Sequence, residues 1–298
     1  MATSTSGDAS RGTRGAATAW LILAVLLLFS IAAPLNQFKV PPIVPILMDA
    51  LGLSVSGAGL LMSVYAITGL ILALPAGLIY QRAGARVTGI LAGGSIVLGA
   101  VLGALSQSMG GLLASRVIEG IGTSFMAVLA PAIIAQWFAA RQRGTAMGIW
   151  AAWVPIGTAA MLILAPWLAQ ASGWRAVWWL GAGYALVVTL LYLFFVRQPS
   201  QAPGPAPNTP AAGPAIEPAQ VLRNRDIWLL AAVFAAFNAA VIGLATYLPT
   251  FLNTERGLAL GPAALLASVS TLITIFSAPA GGMLSDRIGS RKIPYLVA

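Results

Sequence analysis

Gly282-Met283-Leu284-Ser285-Asp286-Arg287-Ile288-Gly289-Ser290-Arg291-Lys292 restates, 205 positions later, a phrase already present as Gly77-Leu78-Ile79-Tyr80-Gln81-Arg82-Ala83-Gly84-Ala85-Arg86. Both copies follow the pattern G-x4-R-x-G-x-R, and both close a long apolar run, 57–80 in the first case and 263–284 in the second. The same shift pairs Leu60, Leu61, Ser63, Val64 and Ala73 with Leu265, Leu266, Ser268, Val269 and Ala278. Further upstream a shift of 208 pairs Trp20, Leu21, Ala24, Val25, Phe29 and Pro41 with Trp228, Leu229, Ala232, Val233, Phe237 and Pro249. Apolar helices match one another easily, so the polar loop carries the weight. A unit of the fold occurs twice along the chain.

The runs around these loops fix the solvent. Of the 298 residues, 59% are hydrophobic and only 8% charged, and the mean hydropathy is +0.89. A soluble domain carries about 25% charged residues, so most of this surface must face lipid. A membrane helix needs about 20 mostly apolar residues. Eight segments meet that length, at 16–35, 57–80, 87–105, 112–138, 144–168, 174–196, 227–251 and 263–284, and a ninth opens at Ile293. The segments are too long, and too poor in alternation, for membrane strands. An all-α polytopic membrane protein is expected.

Charge gives the orientation. The 16 basic residues outnumber the acids by nine, but they stand singly or in pairs between apolar runs, with no basic stripe of the kind nucleic acid requires. With the N-terminus cytoplasmic, Arg11, Arg14, Arg82, Arg86, Arg141, Arg143, Arg197, Arg223, Arg225, Arg287, Arg291 and Lys292 lie inside. Only Lys39, Arg175 and Arg256 lie outside, and Arg116 stays in the membrane, so the positive-inside bias is twelve to three. Arg11, Arg14 and the following apolar stretch imitate a signal peptide, but the run is long for one and its repeat partner is a span. The chain has no Cys and no His, which removes thiolate chemistry, disulfides and histidine relays. No enzyme activity, cofactor or metal is implied.

The expected organisation is an unstructured N-terminus at 1–15, a six-helix bundle at 16–197, a Pro/Ala/Gly-rich cytoplasmic linker at 198–225 and an incomplete second bundle at 226–298. A full second half needs four further spans, roughly 100 residues past Ala298; a complete eight-helix protein is the alternative.

In the loops, Gly77 and Gly282 allow close helix approach, and Gly84 and Gly289 suit a turn with positive φ. Arg82, Arg86, Arg287, Arg291 and Asp286 sit at the inner interface, where they either gate or merely set topology. Gly89-x3-Gly93, Gly99-x3-Gly103 and Gly144-x3-Gly148 offer small packing faces. Arg116 and Glu119 form the ionisable pair set well inside a span; at spacing i, i+3 they share a helix face. Charges are expensive in lipid and mark a pathway, although a self-satisfied packing pair remains the alternative.

These loops resemble the signature G-x-L-x-D-R-x-G-x-R-R of the major facilitator superfamily. The second copy fits almost completely; the first has Gln81 in the acidic position, which weakens any charge-based latch there. Arg116-Val117-Ile118-Glu119-Gly120-Ile121-Gly122 is similar to the family's R-x-x-Q-G-x-G motif, with Glu119 for Gln. Trp174-Arg175 and Tyr247-Leu248-Pro249 also look like the family. The segment Pro34-Leu35-Asn36-Gln37-Phe38-Lys39-Val40-Pro41-Pro42-Ile43, with Gly120–Ser124, resembles the cyanate/nitroimidazole permeases. The run Ile149–Ala159 lacks most of the drug antiporters' G-x-x-x-G-P-x-x-G-G.

The resemblance implies a monomeric inner-membrane permease working by alternating access, with two helical bundles enclosing a central site. It implies a small anion or polar organic substrate, proton coupling through Glu119, and a pathway lined by Asn36, Gln37, Arg116, Glu119, Trp150, Trp153, Asn238 and Tyr247. Gating is expected at Gly77, Arg82, Gly84, Arg86, Gly282, Asp286, Arg287, Gly289 and Arg291. Lys39 reads as an interface anchor rather than a ligand. Efflux of amphipathic compounds is a second reading, and a non-transporting membrane sensor a third.

Overall fold

A computed structural model describes residues 6–196 and 224–288, with side chains placed at 17–139, 142–196 and 224–277. Every regular element among the described residues is helical. Helix α1 spans Ser6–Gln37, followed by a 3-10 turn at Pro41–Ile43 and the short α2 at Val44–Leu51. Then come α3 at Val55–Leu105, α4 at Met109–Trp137, α5 at Ala140–Ala151, α6 at Trp153–Ser172 and α7 at Trp174–Phe195. Past the expected linker, most of which lies outside the described residues, α8 spans Arg225–Thr254 and α9 Leu260–Ile288.

Seven stretches are long and apolar enough to cross a membrane. One of them, α3, has 51 residues, twice what a crossing needs. Its helical course breaks at Gly84, with φ 76° and ψ 178°, a conformation open to glycine and closed to most other residues. α3 therefore holds two of the expected spans, and all eight are present. The helix of α1 runs back to Ser6, ten residues ahead of the expected span.

Local chemistry explains most boundaries. Pro41 and Pro42 cannot continue α1. The Ser54 side chain caps α3 by accepting from the Gly57 amide at 3.1 Å, and Ser108 caps α4 through the Gly111 amide at 3.3 Å. The expected span at 144–168 is one crossing, Gln142–Ser172, whose helix is interrupted at Ala152 where α5 and α6 meet. Pro155 lies three residues beyond and supplies no amide hydrogen to the preceding turn.

Small residues decide how closely the spans approach. A Cβ on Gly99 would lie 2.6 Å from Glu119 Cγ and 2.8 Å from the Ser115 carbonyl oxygen, so α3 and α4 touch backbone to backbone there. Gly89 and Gly93 similarly receive Tyr192 and Thr189 of α7, and Gly103 receives Trp178. Two expectations fail. Nothing lies within 4 Å of a Cβ built on Gly77, Gly144 or Gly148, so these glycines make no close helix contact among the described residues.

The first six spans enclose two apolar cores. One contains Leu26, Phe29, Phe125, Leu129, Ile133 and Tyr192. The other contains Val40, Ile43, Leu47, Leu61, Leu112, Trp174 and Trp178. Along α4 and α7 a gap separates them at residues 115–120 and 179–182, whereas along α1 and the residue after it the second core reaches back through Phe38 and Leu35 to Ile31. α9 packs along α6, and α8 meets the turn at Pro41–Ile43.

Candidate functional site

The gap between the two cores is filled by charge. Lys39 Nζ lies 2.6 Å from Glu119 Oε1 and 2.9 Å from Asn36 Oδ1. Arg116 Nη1 lies 3.0 Å from Glu119 Oε2 and donates to the Asn36 carbonyl oxygen at 2.7 Å. All three ionisable side chains are 0% exposed.

The scaffold follows from where each helix stops or thins. α1 ends at Gln37, and the chain turns so that Lys39 doubles back beneath α7 rather than reaching the interface. Asn36 stays fixed by donating to the Ala32 carbonyl at 2.9 Å and the Gly181 carbonyl at 3.3 Å. Gly181 is needed for that contact, because a Cβ there would fall on Asn36 Oδ1. Gly99 does the same for Glu119 from the other side.

Aromatic rings complete the wall. Lys39 Nζ stands 4.8 Å, and the Arg116 guanidinium carbon 5.2 Å, from the Trp178 ring centroid. Arg116 also lies 5.8 Å from the Tyr65 ring. Each such contact offsets part of a cation's desolvation, by about 2 kcal/mol when buried. The Tyr65 hydroxyl donates to the Ala33 carbonyl at 2.9 Å and lies against the Thr123 hydroxyl.

The electrostatic balance is unequal. Two basic side chains face one carboxylate, and no other ionisable residue forms an ion pair with them among the described residues. Arg116 Nε and Nη2 and the Trp178 indole nitrogen are buried without hydrogen-bond partners. Unpaired buried charge and unmade hydrogen bonds both cost free energy. The arrangement can accept an anion, or hold a proton on Glu119 if an anion replaces it as the cations' partner.

The sequence expectations divide into three groups. Asn36, Arg116 and Glu119 come together as expected, and Gln37 follows Asn36, half-buried. Lys39, read as an interface anchor, is instead the closest partner of Glu119. It is the lone basic residue between Arg14 and Arg82, but nothing in that isolation separates an interface lysine from a buried one. Tyr65, Thr123 and Trp178 carried no distinguishing signal within their apolar runs.

Trp150 and Trp153 stand apart from the cluster. Their rings stack at 5.4 Å, and Trp150 donates to Ser30 Oγ at 3.0 Å. Asn238 satisfies itself on the Phe234 carbonyl at 2.9 Å, and Tyr247 lies against Gly59. Between the first six spans and α8–α9 is a separate cavity of about 370 Å³, lined mainly by apolar side chains, among them Phe38, Pro155, Phe237 and Leu244. Its polar lining comes from the hydroxyls of Thr158, Ser270, Thr271 and Thr274, and Thr158 Oγ1 is buried without a partner.

Of the gating positions, Arg82 and Arg86 are exposed and make no ion pair among the described residues. Gly282, Asp286 and Arg287 lie on α9 with their side chains undescribed, while Gly289 and Arg291 fall outside the described residues.

Comparison with known proteins bears on the whole arrangement. The family model described as Major Facilitator Superfamily matches residues 15–298. The chain is 24% identical over 273 residues to the hexuronate transporter of Bacillus subtilis, covering 90% of this chain and 64% of that protein. It is 26% identical over 288 residues to a probable sulfoacetate transporter of Cupriavidus necator, covering 92% and 66%. The chain thus spans about two thirds of the length of either relative. A crystal structure of a bacterial homologue of the human lysosomal transporter Spinster superposes with a TM-score of 0.72 at 20% identity, over 89% of this chain and 61% of that one. That likeness establishes a shared fold.

Proposed function

The chain belongs to the Major Facilitator Superfamily, and from that premise we propose that the whole protein is a proton-coupled permease for a small anion or polar organic solute. It sits in the inner membrane with the N-terminus cytoplasmic, so that the Lys39 end of the bundle faces out and the Arg82 end faces in. Two bundles rock about a site near the membrane midplane. The closer resemblance to cyanate/nitroimidazole permeases fits a small substrate.

One observation carries the reading: the Lys39–Glu119–Arg116 cluster is buried, sets two basic side chains against one carboxylate, and leaves two Arg116 donors unpartnered. An incoming anion competes with Glu119 for Lys39 and Arg116. Glu119, displaced, becomes the group that takes a proton. A solute that binds one state better than the other shifts the conformational equilibrium by that difference. The names of the hexuronate and sulfoacetate relatives point to the same substrate class.

A second reading rests on the other cavity. Its mainly apolar walls and uncharged hydroxyls suit an amphipathic compound, and efflux of such compounds is the alternative. Flux into proteoliposomes under an imposed pH gradient separates the two. Accumulation of small organic or inorganic anions supports the first, and proton-driven extrusion of a lipophilic dye supports the second. No flux of either would leave a non-transporting membrane sensor.

A further inference from the structure

We propose that the two halves lock together at the Lys39 end by seating the Tyr247 ring of α8 in a notch left by Gly59 of α3. A Cβ built on Gly59 would coincide with the Tyr247 hydroxyl and lie 3.3 Å from its ring carbon Cζ. No other residue type leaves that space. The contact joins the first half of the fold directly to the second.

Among the described residues, the buried part of the seam lies toward this end. The buried residues of α8 are Thr246, Pro249 and Thr250, all in its last turns, whereas its first turns from Arg225 to Phe237 are exposed throughout. α9 repeats the asymmetry, with Leu260, Ala263, Ala264, Ala267 and Ser268 buried near its start and Ile273 and Phe276 exposed further on. Among the described residues, the buried contacts of α8 and α9 with the first six spans thus gather toward the Lys39 end. Tyr247 is seated on one side only, with 38% of its surface exposed. A ring of this kind supplies a large contact with few torsions to freeze, and its open side lets it swing out again. The lock is reversible for the same reason that it fits.

The proposal concerns the seam and does not depend on which solute is carried. It is tested without transport, so its failure is distinguishable from failure of the permease reading. These 298 residues contain no cysteine, so Ala245→Cys, on the cavity wall behind Tyr247, adds one thiol, read against the protein without it. Its labelling by a membrane-impermeant maleimide is measured in right-side-out and inside-out vesicles, one face at a time. From the Lys39 face, Gly59→Leu, which props the notch open, and Tyr247→Ala, which empties it, each raise the rate about tenfold, whereas the double variant refills the space and returns close to the parent rate. Neither single variant raising the rate, or a double variant labelled as fast as the faster single, would overturn the lock. If Gly59→Leu does not reach the membrane, Tyr247→Phe and Tyr247→Ala decide. The ring-bearing variant should match the parent and the alanine variant exceed it, and equal rates in the two sink the proposal.

Discussion

Glu119 is held from two sides by cations, and that asymmetry sets what each substitution should do. Glu119→Ala leaves Lys39 and Arg116 facing one another in the bundle interior, and removing the partner of a buried charge costs about 3–5 kcal/mol. Lys39→Met leaves a formally neutral Arg116–Glu119 pair at 3.0 Å, and its long apolar side chain fits the slot beside Trp178. We expect Lys39→Met to lower the thermal unfolding temperature in detergent far less than Glu119→Ala; the reverse order would mean that Lys39 is the structural keystone. Part of this cluster was legible in the sequence. Arg116 and Glu119 stand out because ionisable residues are rare in an apolar run, and their spacing puts them on one face. Lys39 was not legible as a partner, because its position depends on how the chain turns after Gln37. Trp178 is one of nine tryptophans, and nothing in its neighbours marks it as the ring between two cations.

At the scale of the helices, glycine does two different jobs that the sequence alone does not separate. Gly181 lies under Asn36 and Gly99 under Glu119, whereas Gly183, Gly144 and Gly148 have nothing within 4 Å of an added Cβ. Gly181→Ala forces Asn36 off the carbonyl that fixes it and disturbs Lys39 in turn, an overpacking cost of about 1–3 kcal/mol. Gly183→Ala, two residues along the same helix, should be neutral or stabilising by up to about 1 kcal/mol through helix propensity. Unfolding temperatures of the two variants check the contrast, and equal losses would remove Gly181 from the site's support. Glycines with and without a close neighbour share the same spacing, which is why the face at Gly144 and Gly148 read as a packing surface although nothing among the described residues packs on it. The break at Gly84, by contrast, was legible because the polar loop Gln81–Arg86 divides two apolar runs, 57–80 and 87–105, and a glycine there suits a turn with positive φ.

Over the whole molecule, the repeat and the apolar runs were enough to predict eight spans in two related sets, because lipid imposes length and forbids exposed backbone. The pairing of the halves was out of reach of the sequence: it depends on Tyr247 meeting Gly59 and on α9 lying along α6, contacts between helices distant in the chain. Orientation is testable by the same thiol chemistry. A cysteine at Gln81 should label from the cytoplasmic face and one at Gly52 from the outer face, and the opposite result would invert the proposed threading. The central claim is that Glu119 carries the proton that drives an anion through this fold. The most direct test compares the parent with Glu119→Gln in proteoliposomes, measuring anion accumulation under a pH gradient and, separately, exchange of labelled for unlabelled anion without one. The variant is predicted to lose accumulation and keep exchange; accumulation at the parental level in Glu119→Gln would contradict the account.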